Sequence, residues 1–284
     1  MKLLGAYYRL AKPGIVYGNV MSAAAGFFLA SRGHIDYWLL IALVAGIALV
    51  IASACVINNY LDRRIDAKMV RTSQRALVVG SIPVKNALIY ALILGVSGFG
   101  LLIAYINWLT VAVGIIGYVD YVVVYGIAKR KTAYGTILGS ISGSASLVAG
   151  YTAVTGSLDL TAWLLFLIMV FWQMAHFHAI ALYRLDDYSA AGLPVLPVRK
   201  GQQSTRLSIQ LYIFGFIILT VLLAGVGKVG YVYLIVMFMV GWLWFLASLK
   251  PANDYSLWAR HIFKLSLIVL LVFCLLLMLS SYLV

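Results

Sequence analysis

This 284-residue sequence contains no glutamate, and only 10% of its residues are charged. Soluble domains carry about a quarter charged residues, so this scarcity excludes a soluble globular enzyme. The two cysteines lie far apart inside apolar stretches, which predicts neither a disulfide nor a thiolate metal site. Hydrophobic residues make up 64% of the chain, and its mean hydropathy is +1.02. The composition is that of a protein embedded in a membrane.

Seven charge-poor runs in the sequence approach or exceed the length that a bilayer-spanning helix needs, about 20 residues. They cover residues 14–31, 37–61, 86–128, 132–183, 207–227, 229–249 and 265–284. Two runs have double length, and we place their breaks near Asn107-Trp108 and within 155–159. Because the runs lack the polar alternation of barrel strands, their backbone must form helices. We therefore predict an all-α polytopic membrane protein with nine transmembrane helices, in a single domain over residues 1–284.

Basic residues are distributed unevenly between the two ends of these predicted helices. Nineteen of the 21 Lys and Arg residues fall on one side, and only Arg32 and Lys228 fall on the other. Because basic connections stay in the cytoplasm, we predict a cytoplasmic N-terminus and a C-terminus outside. The net charge of +13 then reflects topology, and no nucleic-acid partner is expected. A basic face beside a substrate entrance would also attract an anionic head group or an anionic lipid.

A first polar cluster closes the second predicted span. Asn58, Asp62 and Asp66 follow one another at steps of four, which places them on one face of a helix. Two carboxylates and an amide oxygen at that spacing offer the hard oxygen ligands that Mg²⁺ prefers. A simpler interpretation is a solvated helix end at which Asp62 pairs with a nearby arginine.

A second polar cluster closes the sixth predicted span. Gln173, His176, Ile180, Tyr183 and Asp187 recur at steps of three and four, so they form one stripe. The second and sixth spans run toward the same membrane face, and polar side chains at that depth usually line a cavity. The alternative is a buried histidine and tyrosine that are hydrogen-bonded within the bundle.

The two clusters resemble the aspartate-rich signature of the intramembrane prenyltransferases of the UbiA superfamily. The closer resemblance is to its heme-modifying branch, the protoheme IX farnesyltransferase family. It rests on Lys12-Pro13, residues 58–66 with 71–75, Lys129-Arg130 with Thr132, Trp172-Gln173 with His176-Phe177, and residues 183–198. The superfamily generally has a second Asp-x3-Asp pair where this chain has Tyr183 and Asp187. The Tyr-x3-Asp form is similar to the heme-modifying branch and argues against a quinone-type acceptor.

The resemblance implies transfer of a farnesyl group from farnesyl diphosphate onto a vinyl group of heme B, with addition of water, to give heme O and diphosphate. It implies Mg²⁺ as the cofactor. The implied magnesium ligands are Asn58, Asp62, Asp66 and Asp187. The implied substrate-binding residues are Arg71, Arg75, Lys129, Arg130 and Arg184. The implied catalytic residues are Asp62, Asp66, Asp187, His176 and Tyr183.

The resemblance also implies a place for the protein in the cell. We expect a multi-pass protein of the bacterial inner membrane, in contact with the lipid bilayer. The expected partners are farnesyl diphosphate, heme B and a downstream heme-modifying enzyme or oxidase that receives the product.

Other functions remain open from the sequence. A related prenyltransferase would act on a phenolic or quinone precursor, and a structural oxidase-assembly subunit would need neither cluster. A transporter of anionic substrates would explain Asp120 inside a span, but it predicts inverted repeats that the sequence does not show. For His176, ligation of the heme iron and a hydrogen bond in the cavity wall are both open.

Overall fold

A computed structural model describes residues 2–251 and 253–283 and shows a bundle of long helices. In chain order the α-helices are α1 (Lys2–Leu10), α2 (Pro13–Ser31), α3 (Tyr37–Asp66), α4 (Val84–Tyr105), α5 (Trp108–Val119), α6 (Tyr125–Lys131), α7 (Gly135–Thr155), α8 (Leu160–Tyr183), α9 (Leu185–Ala190), α10 (Leu196–Gly225), α11 (Tyr231–Leu249) and α12 (Tyr255–Leu283). A π-helical turn, Asp120–Val124, joins α5 to α6, so Trp108–Lys131 is one continuous span.

The number of spans predicted from hydropathy is confirmed. Within the described residues, nine helical segments are long and apolar enough to cross a membrane, and β-strands are absent. The all-α fold class is therefore confirmed as well.

Both predicted breaks in the double-length runs are confirmed, and a polar side chain caps the new helix at each one. Asn107 Oδ1 accepts a hydrogen bond from the backbone N–H of Thr110, and Asp159 Oδ1 accepts one from Ala162, both at 3.0 Å. Such bonds satisfy N–H groups that the first turn of a helix leaves unpaired. Each capping residue thus divides one long apolar run into two spans.

Several helices extend past the apolar runs that predict them. Helix α3 continues to Asp66, α10 begins at Leu196, and α12 begins at Tyr255. Their polar ends reach the membrane surface, where hydropathy no longer distinguishes helix from connection. Helix α10 is interrupted at Gly201, whose φ of 81° lies in a region that side chains other than glycine rarely adopt.

Helices α2 and α7 pack with their backbones in direct contact. A Cβ atom added to Gly26 would lie 2.2 Å from the carbonyl oxygen of Leu147, and one added to Gly150 would lie 1.9 Å from that of Ala23. Membrane helices associate largely through such close van der Waals packing of small residues. This contact fixes α2 against α7, and both helices form part of the wall of the central cavity.

Gly150→Ala should therefore destabilise the bundle, because the new methyl group has no space without separation of α2 from α7. We expect a loss of about 1–3 kcal/mol, the usual range for overpacking, seen as a lower midpoint of thermal unfolding in detergent. Gly100→Ala is the matched control, since a Cβ there meets no described atom within 4 Å. Equal midpoints for the two variants would contradict the packing argument.

Candidate active site

A cavity of about 580 Å³ lies between α2, α3, α7, α8 and the Trp108–Lys131 span. Its volume falls within the range of small-molecule sites, about 300–1,000 Å³. Along α3 the wall extends from Ile47 to Asp66, about 28 Å at 1.5 Å per residue. Apolar side chains such as Val50 and Leu102 line one end, and charged side chains line the other, which we call the charged end. The cavity thus combines a long apolar slot with a charged opening.

The first polar cluster lies at the charged end. Asn58, Asp62 and Asp66 all line the cavity, as expected for side chains at steps of four on one helix. Their exposed fractions are 3%, 8% and 3%. Carboxylates buried to this extent need partners.

Basic side chains from other parts of the chain supply those partners. Both Lys129 and Arg130 pair with Asp62, with Arg130 Nη2 at 3.0 Å from Oδ1. Arg75 Nη1 lies 2.6 Å from Asp66 Oδ2. The interpretation that Asp62 pairs with a nearby arginine is therefore correct for this structure, but the pair lies in a cavity rather than at a solvated helix end.

Lys12 is a member of this network whose role the sequence did not reveal. Its Nζ donates to Asn58 Oδ1 at 2.8 Å, and burial lowers the pKa of the ammonium to about 8. At neutral pH the group therefore remains mostly charged. The signal in the sequence is its position directly before Pro13, the first residue of α2.

The charged end carries a net positive charge. Five basic residues and two acidic ones line the cavity. The basic residues are Lys12, Arg71, Arg75, Lys129 and Arg184. Low-dielectric walls around such an excess concentrate the field and attract an anion. A diphosphate, with several negative charges in a small volume, suits this surface.

The oxygen donors of the charged end suit Mg²⁺ held jointly with a phosphate. In the part of the chain that the structure describes, no group of three or more His, Cys, Asp and Glu side chains encloses a metal position. Two carboxylates one helical turn apart are nevertheless present, and Mg²⁺ commonly uses one or two carboxylates, waters and substrate phosphates. The buried Nδ2 of Asn58 has no partner among the described residues, which leaves a donor for a phosphate oxygen or a water. The residues present therefore fit the ion.

The second polar cluster forms another part of the same wall. His176 lines the cavity and stacks on Trp172, with ring centroids 4.8 Å apart. Its Nδ1 lies 2.7 Å from Ser266 Oγ on α12, and Ser266 Oγ also donates to the carbonyl oxygen of Phe263. Since a hydroxyl has one proton to donate, we infer that Nδ1 carries the imidazole proton and donates to Ser266. The lone pair of the neutral ring then lies on Nε2.

Ser266 is a site residue for which the sequence gives no signal. It lies 90 residues after His176, in a leucine-rich helix. Its backbone carbonyl also accepts from Trp172 Nε1 at 2.8 Å, so it holds both rings of the stack. Because a serine in an apolar helix is common, only the folded structure distinguishes this one.

Other residues of the stripe, and Arg184 next to it, also line the cavity. Gln173 lines the cavity and donates to Ser144 Oγ at 3.0 Å, an approach that requires the absence of a side chain at Gly143. Tyr183 and Arg184 also line it, with the guanidinium 4.9 Å from the centre of the Tyr183 ring.

Two of the sequence-predicted residues lie outside this wall. Asp187 and Arg130 are absent from the cavity lining that the described residues form. Arg130 still reaches the site through Asp62, whereas Asp187 Oδ2 lies 3.9 Å from Arg184 Nη1 and thereby borders the charged end. The other predicted residues all line the cavity: Asn58, Asp62, Asp66, Arg71, Arg75, Lys129, His176, Tyr183 and Arg184.

Asp120 lies outside the cavity lining as the structure describes it, although it is an acidic residue within a span. It is 6% exposed, and its Oδ2 accepts a hydrogen bond from the backbone N–H of Ser142 at 3.1 Å. Asp120 is the first residue of the π-helical turn, and its hydrogen bond with Ser142 links this turn to α7. We therefore assign it a contact between spans rather than a place in the site.

Known proteins resemble this chain in both sequence and structure. Residues 19–268 match the UbiA prenyltransferase family. Protoheme IX farnesyltransferases from Sodalis glossinidius and Yersinia enterocolitica are 47% and 48% identical over 270 residues, which cover 94% of this chain and 91% of each relative. A digeranylgeranylglyceryl phosphate synthase structure superposes with a TM-score of 0.81 at 19% identity, and covers 100% of both chains. A UbiA homologue from Archaeoglobus fulgidus bound to GPP and Mg²⁺ gives 0.72 at 16% identity, over 93% of this chain and 99% of its own.

Proposed function

The chain belongs to the UbiA prenyltransferase family, and we propose that its charged cavity is where it transfers a farnesyl group to heme. It is an enzyme and a multi-pass membrane protein. The observation that carries the proposal is the position of Asp62 and Asp66 among five basic side chains, at one end of an apolar slot. An allylic diphosphate has this same division into a charged head and an apolar tail.

The charged end binds the diphosphate. Asp62, Asp66 and Asn58 would hold Mg²⁺, with Asp187 at the border of the site, and the ion would neutralise charge on the leaving diphosphate. In this structure, Lys129 pairs with Asp62 and Arg75 pairs with Asp66, so the two carboxylates are neutralised. If the carboxylates held the ion, these basic groups would be free to donate to phosphate oxygens. Arg71 and Arg130 add positive charge around the same anion.

The apolar slot protects the reacting carbon. The bond between C1 of the farnesyl group and the diphosphate oxygen breaks, and the electron pair leaves with diphosphate. The vinyl group of heme then forms a bond to C1, and the resulting cation on the porphyrin side takes up water and releases a proton. Until that step, apolar walls exclude water from the allylic cation. The stacked rings of Tyr121 and Tyr125, 5.9 Å apart in the cavity lining, present π-faces that stabilise positive charge.

The acceptor side is the wall that carries His176. Nε2 of the imidazole, with its lone pair, is a ligand for the iron of heme or a hydrogen-bond acceptor at the porphyrin edge. Tyr183 and Arg184 lie at the charged end, where the guanidinium would pair with a carboxylate of heme. This arrangement brings the porphyrin toward the farnesyl C1 from the α8 side.

The experiment that tests this function uses purified protein with heme B, farnesyl diphosphate and Mg²⁺, followed by mass analysis of the heme. We expect a mass gain equal to one farnesyl group and one hydroxyl group, and release of diphosphate. Unmodified heme, together with prenylation of a phenolic acceptor by the same preparation, would assign the protein to the quinone-directed branch instead.

The orientation in the bacterial inner membrane is part of the proposal, with the N-terminus and the charged end facing the cytoplasm. We expect that Ser81→Cys and Gln202→Cys react with a membrane-impermeant thiol reagent only from the cytoplasmic side, and Ser157→Cys only from the other. The unmodified chain serves as the background, since Cys55 and Cys274 are 1% and 0% exposed. Labelling of Ser81→Cys and Gln202→Cys from opposite faces would contradict the topology.

A further inference from the structure

A second, smaller cavity lies on another side of α8 from His176. We call it the His178 pocket, and its volume is about 110 Å³. Its polar lining consists of Tyr134, His178, Lys200, Ser204, Ser208 and Tyr212. At 100° per residue, His178 points about 200° away from His176, so the two histidines serve different spaces. The proposed prenyl transfer uses none of these six residues.

His178 is buried without a hydrogen-bond partner for Nδ1 in the described structure. The residue is 4% exposed, and its ring lies 5.7 Å from that of Tyr212. An unpaired buried donor or acceptor costs about 1–3 kcal/mol, so native proteins rarely leave one without a purpose. An ionisable residue inside a membrane span is a sign of function by default.

Lys200 supplies positive charge at the rim of this pocket. Its Nζ donates to the hydroxyl of Tyr134 at 2.7 Å and lies 5.1 Å from the centre of that ring. Among the described residues, it forms no ion pair with a carboxylate. The pocket therefore has an uncompensated cation and no acidic side chain in its lining.

We propose that the His178 pocket binds the phosphate of an anionic membrane lipid. Lys200, the Tyr134 hydroxyl and Nδ1–H of His178 are three donors for phosphate oxygens. A volume of about 110 Å³ suits a head-group phosphate but is too small for a porphyrin or for a drug-sized ligand. Basic pockets between membrane helices commonly hold such head groups.

The surroundings of the pocket fit the rest of a lipid. Ile137 in its lining is 40% exposed, and Leu207 and Leu211 on the neighbouring part of α10 are 56% and 62% exposed. In a bilayer these apolar side chains face acyl chains. A phospholipid can therefore place its phosphate beside Lys200 while its tails remain in the membrane. This site is independent of the proposed prenyl transfer.

The test uses the purified full-length chain and a phosphatidylglycerol that carries a photoreactive group on one acyl chain. We expect crosslinks to peptides that contain Ile137, Leu207 or Leu211. Lys200→Gln should reduce these crosslinks about fivefold, the effect of roughly one basic group at an anionic membrane surface. His178→Leu should reduce them by a similar factor, because one hydrogen-bond donor to the phosphate is lost. Lys85→Gln, an exposed lysine at the start of α4, should leave them unchanged.

Two further arms identify the ligand. A phosphatidylcholine probe should crosslink less, because its head group has no net charge. An excess of inorganic phosphate should reduce the crosslinks of the unmodified chain, because it competes with the lipid phosphate for the same donors. Unfolding midpoints establish that each variant is folded. Crosslinks that are equal in the unmodified chain, Lys200→Gln and His178→Leu would overturn the proposal, as would equal crosslinking by both lipids.

Discussion

Asp62→Asn and Asp66→Asn should each lower prenyl transfer at least about a hundredfold, the scale at which a single electrostatic contact to a developing charge acts. Both carboxylates line the charged end and both are buried. Asparagine keeps the size of the side chain but removes the charge that a divalent cation needs. Lys129 and Arg75 would also lose their present partners. The effect should fall on turnover more than on heme binding.

The measurement is the initial rate of heme farnesylation at saturating Mg²⁺, with the yield and unfolding midpoint of each variant. Asp186→Asn is the matched control, because Asp186 is exposed on α9 and lies outside the described lining of the cavity. It should retain the full rate. A normal rate for either Asp62→Asn or Asp66→Asn would remove the metal-binding assignment.

His176→Ala should weaken the binding of heme B by at least about tenfold and leave the binding of farnesyl diphosphate intact. The reason is that His176 lies on the α8 wall, whereas the basic side chains that suit the diphosphate surround Asp62 and Asp66. Asp187→Ala should show the reverse pattern. Ser266→Ala should weaken heme binding by a smaller factor, since Ser266 orients the imidazole and fixes its proton on Nδ1.

Heme titration by absorbance and competition with a non-hydrolysable farnesyl diphosphate analogue separate the two affinities. The control is His261→Ala, because His261 is exposed near the start of α12. A histidine with only a structural role would lose a buried hydrogen bond worth about 1 kcal/mol, and both affinities would fall together with the protein yield. Equal losses of the two ligands in His176→Ala would therefore refute the acceptor-side role.

Local patterns in the sequence predict much of this architecture. Hydropathy reveals the nine spans because a helix that crosses lipid needs a long run of apolar side chains. Asn107 and Asp159 reveal the breaks because helix capping is a local interaction. The steps of four from Asn58 to Asp66 are likewise local, and they indicate one helical face without knowledge of the fold.

Contacts between distant segments could not be predicted in this way. The pairing of Lys129 with Asp62 and of His176 with Ser266 depends on which helices become neighbours. The tight approach of α2 and α7 depends on Gly26 and Gly150. A glycine or serine in an apolar helix is ordinary, and only its position in the bundle gives it a specific role. Asp187 shows the same limit of local patterns. Its spacing from Tyr183 predicts a place on the cavity wall, but in the structure Asp187 lies beside that wall.

The π-helical turn at Asp120–Val124 holds one residue more than an α-helical turn, because the N–H of Tyr125 donates to the carbonyl oxygen of Asp120, five residues back. Tyr121 within the turn and Tyr125 and Lys129 after it all line the cavity. A one-residue deletion in an α-helical part of this span would rotate everything beyond it by about 100° and move Lys129 away from Asp62. A one-residue deletion inside the turn would instead convert it to an α-helical turn and keep Lys129 beside Asp62. The length of this span is therefore constrained more strongly outside the π-helical turn than within it.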